Sequence, residues 1–217
     1  MDIKTRIART ITILRKTEGQ SMLAGFSRLD PWKILISTIL SARAKDETTI
    51  PVCNMLFSRY PDAESLFKAD PKEIENLIKK IGFYRNKTRF IIEASGMIVK
   101  DFNGKVPDNI ENLLKLPGVG RKVANCVLVY AFRKPAIPVD THVHRISNRL
   151  GWVNTKTPEK TEIELLKIVP RKLWIEVNER LVTFGKRICK PIGPLHKECP
   201  VSQYCQYYED FVEKPKS

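Results

Sequence analysis

Apolar residues recur along this chain at every third or fourth position. Ile3, Ile7, Ile11 and Leu14 share one helical face. The same spacing predicts helices over about 3–17, 31–43, 46–58, 62–68, 71–80, 85–102, 108–115, 121–132, 141–150, 158–168 and 171–184, with ends placed to within ~2–4 residues. Asp30-Pro31 and Asp70-Pro71 each set a capping carboxylate before a proline suited to the first helical turn. Asp70-x-x-Glu73 and Asp108-x-x-Glu111 have the spacing of capping boxes, with a carboxylate in place of the hydroxyl. No sustained two-residue alternation predicts a sheet, so the expected fold is all-α. Lys134-Pro135-Ala136-Ile137-Pro138-Val139 is a linker, because two prolines forbid a continuous helix there. The pattern gives two helical halves joined near residue 135 and a tail that carries cysteines.

Composition narrows this picture. The 217 residues include 38 Lys+Arg against 24 Asp+Glu, a net charge of +14. The mixture of apolar and charged residues is that of an ordinary globular protein, and excludes collagen-like, disordered and disulfide-scaffold classes. No apolar run is long enough for a membrane span, and Met1 to Arg15 lacks the features of a secretory signal. The surplus charge points to a polyanion, with nucleic acid first. It is unevenly spread: +3 over residues 1–30, +3 over 31–120 and +8 over 121–217.

The most informative run is Leu116-Pro117-Gly118-Val119-Gly120-Arg121-Lys122-Val123-Ala124. One helix ends, two glycines straddle an apolar residue, and another helix begins. Glycine permits positive φ and close backbone approach. The amides that open the second helix lack intrahelical partners and sit at its positive end, which suits a phosphate. Val119 is expected to plug into the core between the two helices. A tight helical turn with glycine as C-cap is the purely structural alternative. Downstream, Pro138-Val139-Asp140-Thr141-His142 places a carboxylate just before a helix that it could simply cap.

The run from Leu116 through Asp140 resembles the helix-hairpin-helix, Gly/Pro-rich loop and aspartate of the base-excision DNA glycosylase superfamily, and within it the endonuclease III family. Leu40-Ser41-Ala42-Arg43-Ala44-Lys45-Asp46 and Ile81-Gly82-Phe83-Tyr84-Arg85-Asn86-Lys87 match two further segments of that family. The similarity runs in family order from about Pro31 to Cys205. It implies Lys122 as nucleophile, Asp140 as essential carboxylate and Gly118, Val119, Gly120 and Arg121 as DNA-contacting residues.

Residue types support those roles. Breaking an N-glycosidic bond develops positive charge on the sugar, which a carboxylate stabilises. A neutral lysine can attack C1′ and form a Schiff base, from which the 3′ phosphate is eliminated. The alternative for Lys122 is a surface lysine that binds phosphate. The enzyme must also take the base out of the stack and fill the gap. By position in the family segments, Arg43 and Phe83 would do this. Arg43 departs from the usual glutamine and could read or stack on the orphaned base, or pair with Asp46 or Glu47. Phe83 is a candidate apolar wedge, with core packing as the alternative.

Five cysteines occur, Cys53, Cys126, Cys189, Cys199 and Cys205. The first two fall inside helices and read as buried thiols; the odd count favours a reducing cytosol. The family commonly holds a [4Fe–4S] cluster with Cys-x6-Cys-x2-Cys-x5-Cys. This chain fits as Cys189-x6-His196-x2-Cys199-x5-Cys205, with His196 in the second place and Pro200 following the third. The reading preferred is a [4Fe–4S] cluster with His196 or an exogenous group as fourth ligand. Structural zinc and no metal are the alternatives. Arg180, Lys186, Arg187, Lys190 and Lys197 surround this tail and are expected to track a phosphate backbone, Lys190 first among them, with a solvated basic surface as the alternative for any one of them.

The expectation is therefore a monomeric, cytoplasmic, nucleoid-associated DNA glycosylase and apurinic/apyrimidinic lyase acting on oxidised pyrimidines in duplex DNA. Residues 24–133 would form one helical domain, and residues 1–23 with 134–217 a second, discontinuous one, flanking a DNA-binding cleft. The rivals are a glycosylase for another lesion, such as mismatched thymine or uracil or an adenine opposite oxidised guanine, and a non-enzymatic helix-hairpin-helix DNA-binding module.

Overall fold

The carboxylate-proline pairs begin helices where the pattern puts them. In a computed structural model, which describes residues 1–19, 21–26 and 30–213, Asp30 and Asp70 accept hydrogen bonds from the amides of Trp32 (2.8 Å) and Lys72 (2.9 Å). The fold is all-α, with no strand among the described residues. The chain divides into two compact units. One is Met22–Arg133; the other joins Met1–Ser21 to Lys134–Ser217. No helix among the described residues is long and apolar enough to cross a membrane.

The discontinuous unit opens with α1 (Ile3–Thr17), capped by Asp2. Its apolar stripe, Ile7, Ile11 and Leu14, is fully buried. Full burial of side chains of this size stabilises by roughly 1.5–3 kcal/mol each, enough to bring the first helix against elements more than a hundred residues away.

The continuous unit contains α2 (Met22–Gly25), α3 (Pro31–Ser41), α4 (Asp46–Arg59), α5 (Ala63–Phe67), α6 (Pro71–Ile78), α7 (Tyr84–Asp101), α8 (Ile110–Leu113) and α9 (Arg121–Phe132). Helix α3 is apolar on all sides and packs against α4, α7 and α9, so Ile34, Leu35, Ile36 and Leu40 are all buried. Inside this core the Trp32 indole N–H donates to the Ser95 hydroxyl at 2.9 Å, so the ring is buried without an unpaired donor.

The rest of the discontinuous unit is α10 (Thr141–Arg149), α11 (Pro158–Ile168), a 3-10 turn over Arg171–Leu173, α12 (Trp174–Arg187) and an irregular tail. Val143, Ile146 and Leu150 meet Val177, Leu181 and Phe184 and the α1 stripe in one core, with Cys189, Cys199 and Cys205 packed partly against it. Glu18, at the end of α1, has a side chain only 1% exposed and is held by the Arg187 guanidinium at 2.6 Å. The two distant parts of the chain are thus tied by charge as well as by apolar burial.

Local readings needed correction at two starts, α6 and α8. Asn109, not Asp108, caps α8. Glu73 does not close a capping box with Asp70, because its carboxylate accepts from the Tyr60 hydroxyl (2.7 Å) and Arg59 (3.1 Å). The true capping box is Asp62 with Ser65. Asp46 is the first helical residue of α4 and Lys45 occupies the cap.

Alanine normally exceeds glycine in a helix interior by about 1 kcal/mol. At Gly96 in α7, however, an added Cβ would stand 2.7 Å from two carbons of the Phe67 ring. Overpacking of this kind costs about 1–3 kcal/mol and reverses the sign. Gly96→Ala is expected to lower stability by about 1 kcal/mol net, read as a lower midpoint in denaturant.

Candidate catalytic and DNA-contacting site

The hairpin is built from the end of α8. Leu116 donates its amide to Leu113 O and Val119 to Leu116 O, both at 3.1 Å, which curls the chain back before α9. Gly118 has φ +77, and a Cβ there would lie 2.8 Å from Phe90 Cβ. Positive φ and this close approach both require glycine. Val119 is buried between the two glycines, as the hairpin reading expects. Gly120 caps α9 and, having no side chain, contributes no capping hydrogen bond to the opening amides of this helix. Arg121 is exposed, and Lys122, second in the helix, is half-buried.

Two other loops of the same unit come together. Arg43, after α3, and Phe83, before α7, are both non-glycine residues in the left-handed region, with φ 54 and φ 60. Such backbone costs about 1–2 kcal/mol per residue. Arg43 Cζ lies 5.9 Å from the centroid of the Phe83 ring. Phe83 is 63% exposed, which rules out a core role for it. Beneath them Lys87 is only 5% exposed. Its amine donates to Leu40 O at 2.9 Å and Ala42 O at 2.6 Å. Burial pushes this ammonium down to about 8, while the two carbonyls favour its charged form.

Asp140 belongs to the other unit and caps α10. Its Oδ1 accepts from the amides of His142 (2.9 Å) and Val143 (2.8 Å). The capping duty is therefore real, and it employs one carboxylate oxygen.

In the tail, Cys189, His196, Cys199 and Cys205 line one pocket, closed by Ile146, Leu150, Phe184, Ile188 and Val201. Burial raises the Cys199 thiol to about 11, and raises that of Cys205. Arg149 reaches this loop from α10. Its guanidinium donates to Cys189 Sγ (3.4 Å), Lys190 O (2.7 Å) and Pro191 O (2.9 Å). Arg145, one turn earlier, donates to Cys189 O at 2.8 Å. The His196 ring lies near-parallel to Tyr207, centroids 5.9 Å apart. Among the described residues no three His, Cys, Asp or Glu side chains are grouped to hold a single metal ion.

The basic residues around the tail divide. Arg187 is engaged by Glu18, and Arg180 lies 3.5 Å from Glu179 and donates to Glu18 O and Gly19 O. Lys190 and Lys197 are exposed. The two arginines thus have partners within the chain, while the Arg187 side chain remains 54% exposed.

A glycine-turned helical hairpin with lysine in the second helix, and an aspartate capping a later one, is the pattern carried by a known repair family. The family profile described as HhH-GPD superfamily base excision DNA repair protein matches residues 36–171. Endonuclease III of Thermotoga maritima is 52% identical over 179 residues, 82% of this chain and 84% of that protein. This chain belongs to the endonuclease III family. Among solved structures, a trapped endonuclease III–DNA covalent intermediate, an estranged-adenine complex, has TM-score 0.85 at 34% identity, covering 96% of this chain and 98% of that one. A thermostable thymine-DNA glycosylase has TM-score 0.82 at 28% identity, covering 95% and 96%.

Compared with sequence reasoning, this endonuclease III family member reveals two further residues at its candidate sites. Lys87 left a signal: it interrupts the buried stripe of α7 formed with Ile91, Ala94 and Ile98. Arg149 left a weaker one, its spacing of four from Arg145 on a helix that precedes the cysteines. At the hairpin, Gly118→Ala combines left-handed backbone with a clash on Phe90. It is expected to cost about 2–4 kcal/mol in denaturant unfolding. Gly120→Ala, with φ −94 and nothing near its Cβ, should cost less than about 1 kcal/mol.

Proposed function

We propose that this chain is a monomeric, cytoplasmic DNA glycosylase and apurinic/apyrimidinic lyase that removes oxidised pyrimidines, such as thymine glycol, from duplex DNA. The observation that carries the reading is Lys122, placed in the first turn of α9 directly after the glycine hairpin. In this reading the opening amides of α9 bind a phosphate beside the lesion. The damaged nucleotide is turned out of the stack, and Arg43 and Phe83 occupy the space that it leaves. The Asp140 carboxylate stabilises positive charge developing on the deoxyribose. The Lys122 amine attacks C1′, and the bond from C1′ to the base breaks. Loss of the amine proton and ring opening give an iminium between Lys122 Nζ and C1′. Removal of a C2′ proton then expels the 3′ phosphate, cutting the strand. Water releases the lysine.

A second reading is supported by the likeness to a thymine-DNA glycosylase. It keeps the fold and changes the base removed to a mismatched thymine or uracil. Incision of a panel holding thymine glycol, thymine opposite guanine and uracil opposite guanine separates the two readings.

Three thiols and an imidazole around one largely apolar pocket suit an iron–sulfur cluster better than zinc. A tetrahedral zinc ion needs all its ligands grouped around one point, whereas a cubane takes one ligand at each of four irons. In this reading Cys189, Cys199 and Cys205 hold three irons and His196 the fourth. The Arg149 guanidinium would compensate thiolate charge at Cys189. When bound, the cluster supplies a rigid tie for the tail that presents Lys190, and no step of the base-removal chemistry.

Borohydride added to the protein with thymine glycol duplex is expected to trap a covalent complex. Lys122→Gln should abolish trapping and incision, and Asp140→Asn should slow base release by about 10²–10³. A wild-type protein that frees the base but is never trapped would remove the lyase assignment. Anaerobically purified protein is expected to be brown and to carry about four irons. Colourless protein with one zinc would overturn the cluster reading.

A further inference from the structure

We infer that Lys87 is a positioning residue for DNA opening, holding Arg43 and Phe83 as one preassembled unit. The inference rests on the reading of those two residues as the wedge. One residue grips both loops. Its side-chain amine takes Ala42 O at 2.6 Å and Leu40 O at 2.9 Å, while its place in the first turn of α7, whose opening backbone bond runs from Lys87 N–H to Phe83 O at 3.1 Å, ties that amine to the Phe83 loop. The Ala42 carbonyl belongs to the peptide plane that precedes Arg43, so fixing that oxygen fixes the plane about which Arg43 φ is set. The Phe83 carbonyl likewise constrains ψ of Phe83. These are the two residues with left-handed backbone in the paired loops. Strained backbone persists only where its surroundings over-determine it, and it gathers where function needs a fixed geometry.

The simpler account is that Lys87 satisfies carbonyls at the end of α3. Lys87 does meet that need at the carbonyl of fully buried Leu40, but it also takes, at the shorter distance, the carbonyl of exposed Ala42, the one next to Arg43. A buried ammonium with no carboxylate is a costly way to satisfy one carbonyl alone. The arrangement makes sense when the gain is rigidity. Arg43 Cζ sits 5.9 Å from the Phe83 ring, so the guanidinium rests on the aromatic and the two side chains enter the duplex as one body. A wedge already in its working shape does not lose conformational freedom when DNA is opened.

The test compares a substrate that needs the wedge with one that does not. Single-turnover incision is measured on a duplex with thymine glycol opposite adenine and on a single-stranded oligonucleotide with an abasic site. Rates are normalised to the fraction of protein that borohydride traps on the single strand, so that misfolded molecules are not counted. Lys87→Met, of similar length and without a donor, is expected to slow the duplex reaction about tenfold and the single-strand reaction less than about twofold. Lys87→Gln, which keeps one donor, serves where the methionine variant gives no folded protein, and should fall between. In a Phe83→Ala background the Lys87 substitution should cost little more on the duplex. Equal slowing on both substrates, or none on the duplex, overturns the inference. If Arg43→Ala and Phe83→Ala process the duplex at the wild-type rate, the wedge reading itself falls. If they are slow and Lys87→Met is not, the positioning role alone falls.

Discussion

Every helix leaves its first amides and last carbonyls without intrahelical partners, and in a protein made of helices this constraint decides where chemistry can stand. Most starts in this chain are closed by a side chain: Asp2, Asp30, Asp62, Asp70, Asn109, Asp140 and Thr157 each accept from an amide of the helix they precede. In the Met22–Arg133 unit, α4, α7 and α9 begin without a capping side-chain bond. Each follows a loop read as contacting DNA, at Arg43, Phe83 and Gly118–Gly120. Helix α4 carries Asp46 and Glu47 in its first turn, which meet its positive end with charge. Helices α7 and α9 carry no acidic residue there. In the proposed reading these are the starts at which an anion from outside the chain would bind.

The same constraint explains how one residue can be structural and chemical at once. Asp140 closes α10 through a single oxygen, so its capping bonds hold the carboxylate in one orientation. A side chain already fixed by backbone amides need not be ordered when substrate arrives. Arg145 and Arg149 act similarly at the other end of that helix. They spend their donors on carbonyls of the cysteine loop and so fix where Cys189 stands. Helix α10 thus carries the proposed catalytic carboxylate in its cap and supports the cysteine loop from its last turns.

Much of this was legible in the sequence because it depends on local chemistry. The 3.6-residue stripes, the Asp-Pro starts and the glycine pair at the hairpin announce helices and turns through steric and capping rules that act within a few residues. The isoleucine face of α1 announced a helix with one side to bury, but nothing in that face says which distant elements cover it. What stayed hidden depends on contacts between segments. The Lys87 amine meets carbonyls more than forty residues away, and nothing near it in sequence says that its charge is buried. Asp108 and Asn109 are equally good caps on paper, and the fold of the preceding loop chooses between them. Phe83 could equally have been a core residue until its backbone was seen in the left-handed region, with its ring turned outward.

Net charge is the quantity most changed by the structure. A surplus of +14 suggests a polyanion, but it does not say which cations are free to meet one. The residues after Gly120 hold most of the excess, and several of those side chains are consumed internally. Arg145 and Arg149 bind carbonyls of the tail, Arg180 binds those of Glu18 and Gly19, and Arg187 holds the Glu18 carboxylate. Arginine's rigid fork suits several acceptors at once, and Arg187 engages Glu18 while its own side chain stays 54% exposed; Lys190 and Lys197 near the cluster loop are exposed as well. In the proposed reading, attraction to DNA and opening of the duplex would rest on different residues. Exposed lysines would supply a salt-sensitive pull on the phosphate backbone. Filling the space left by the damaged base would fall to a pair held by the fold, Arg43 on Phe83.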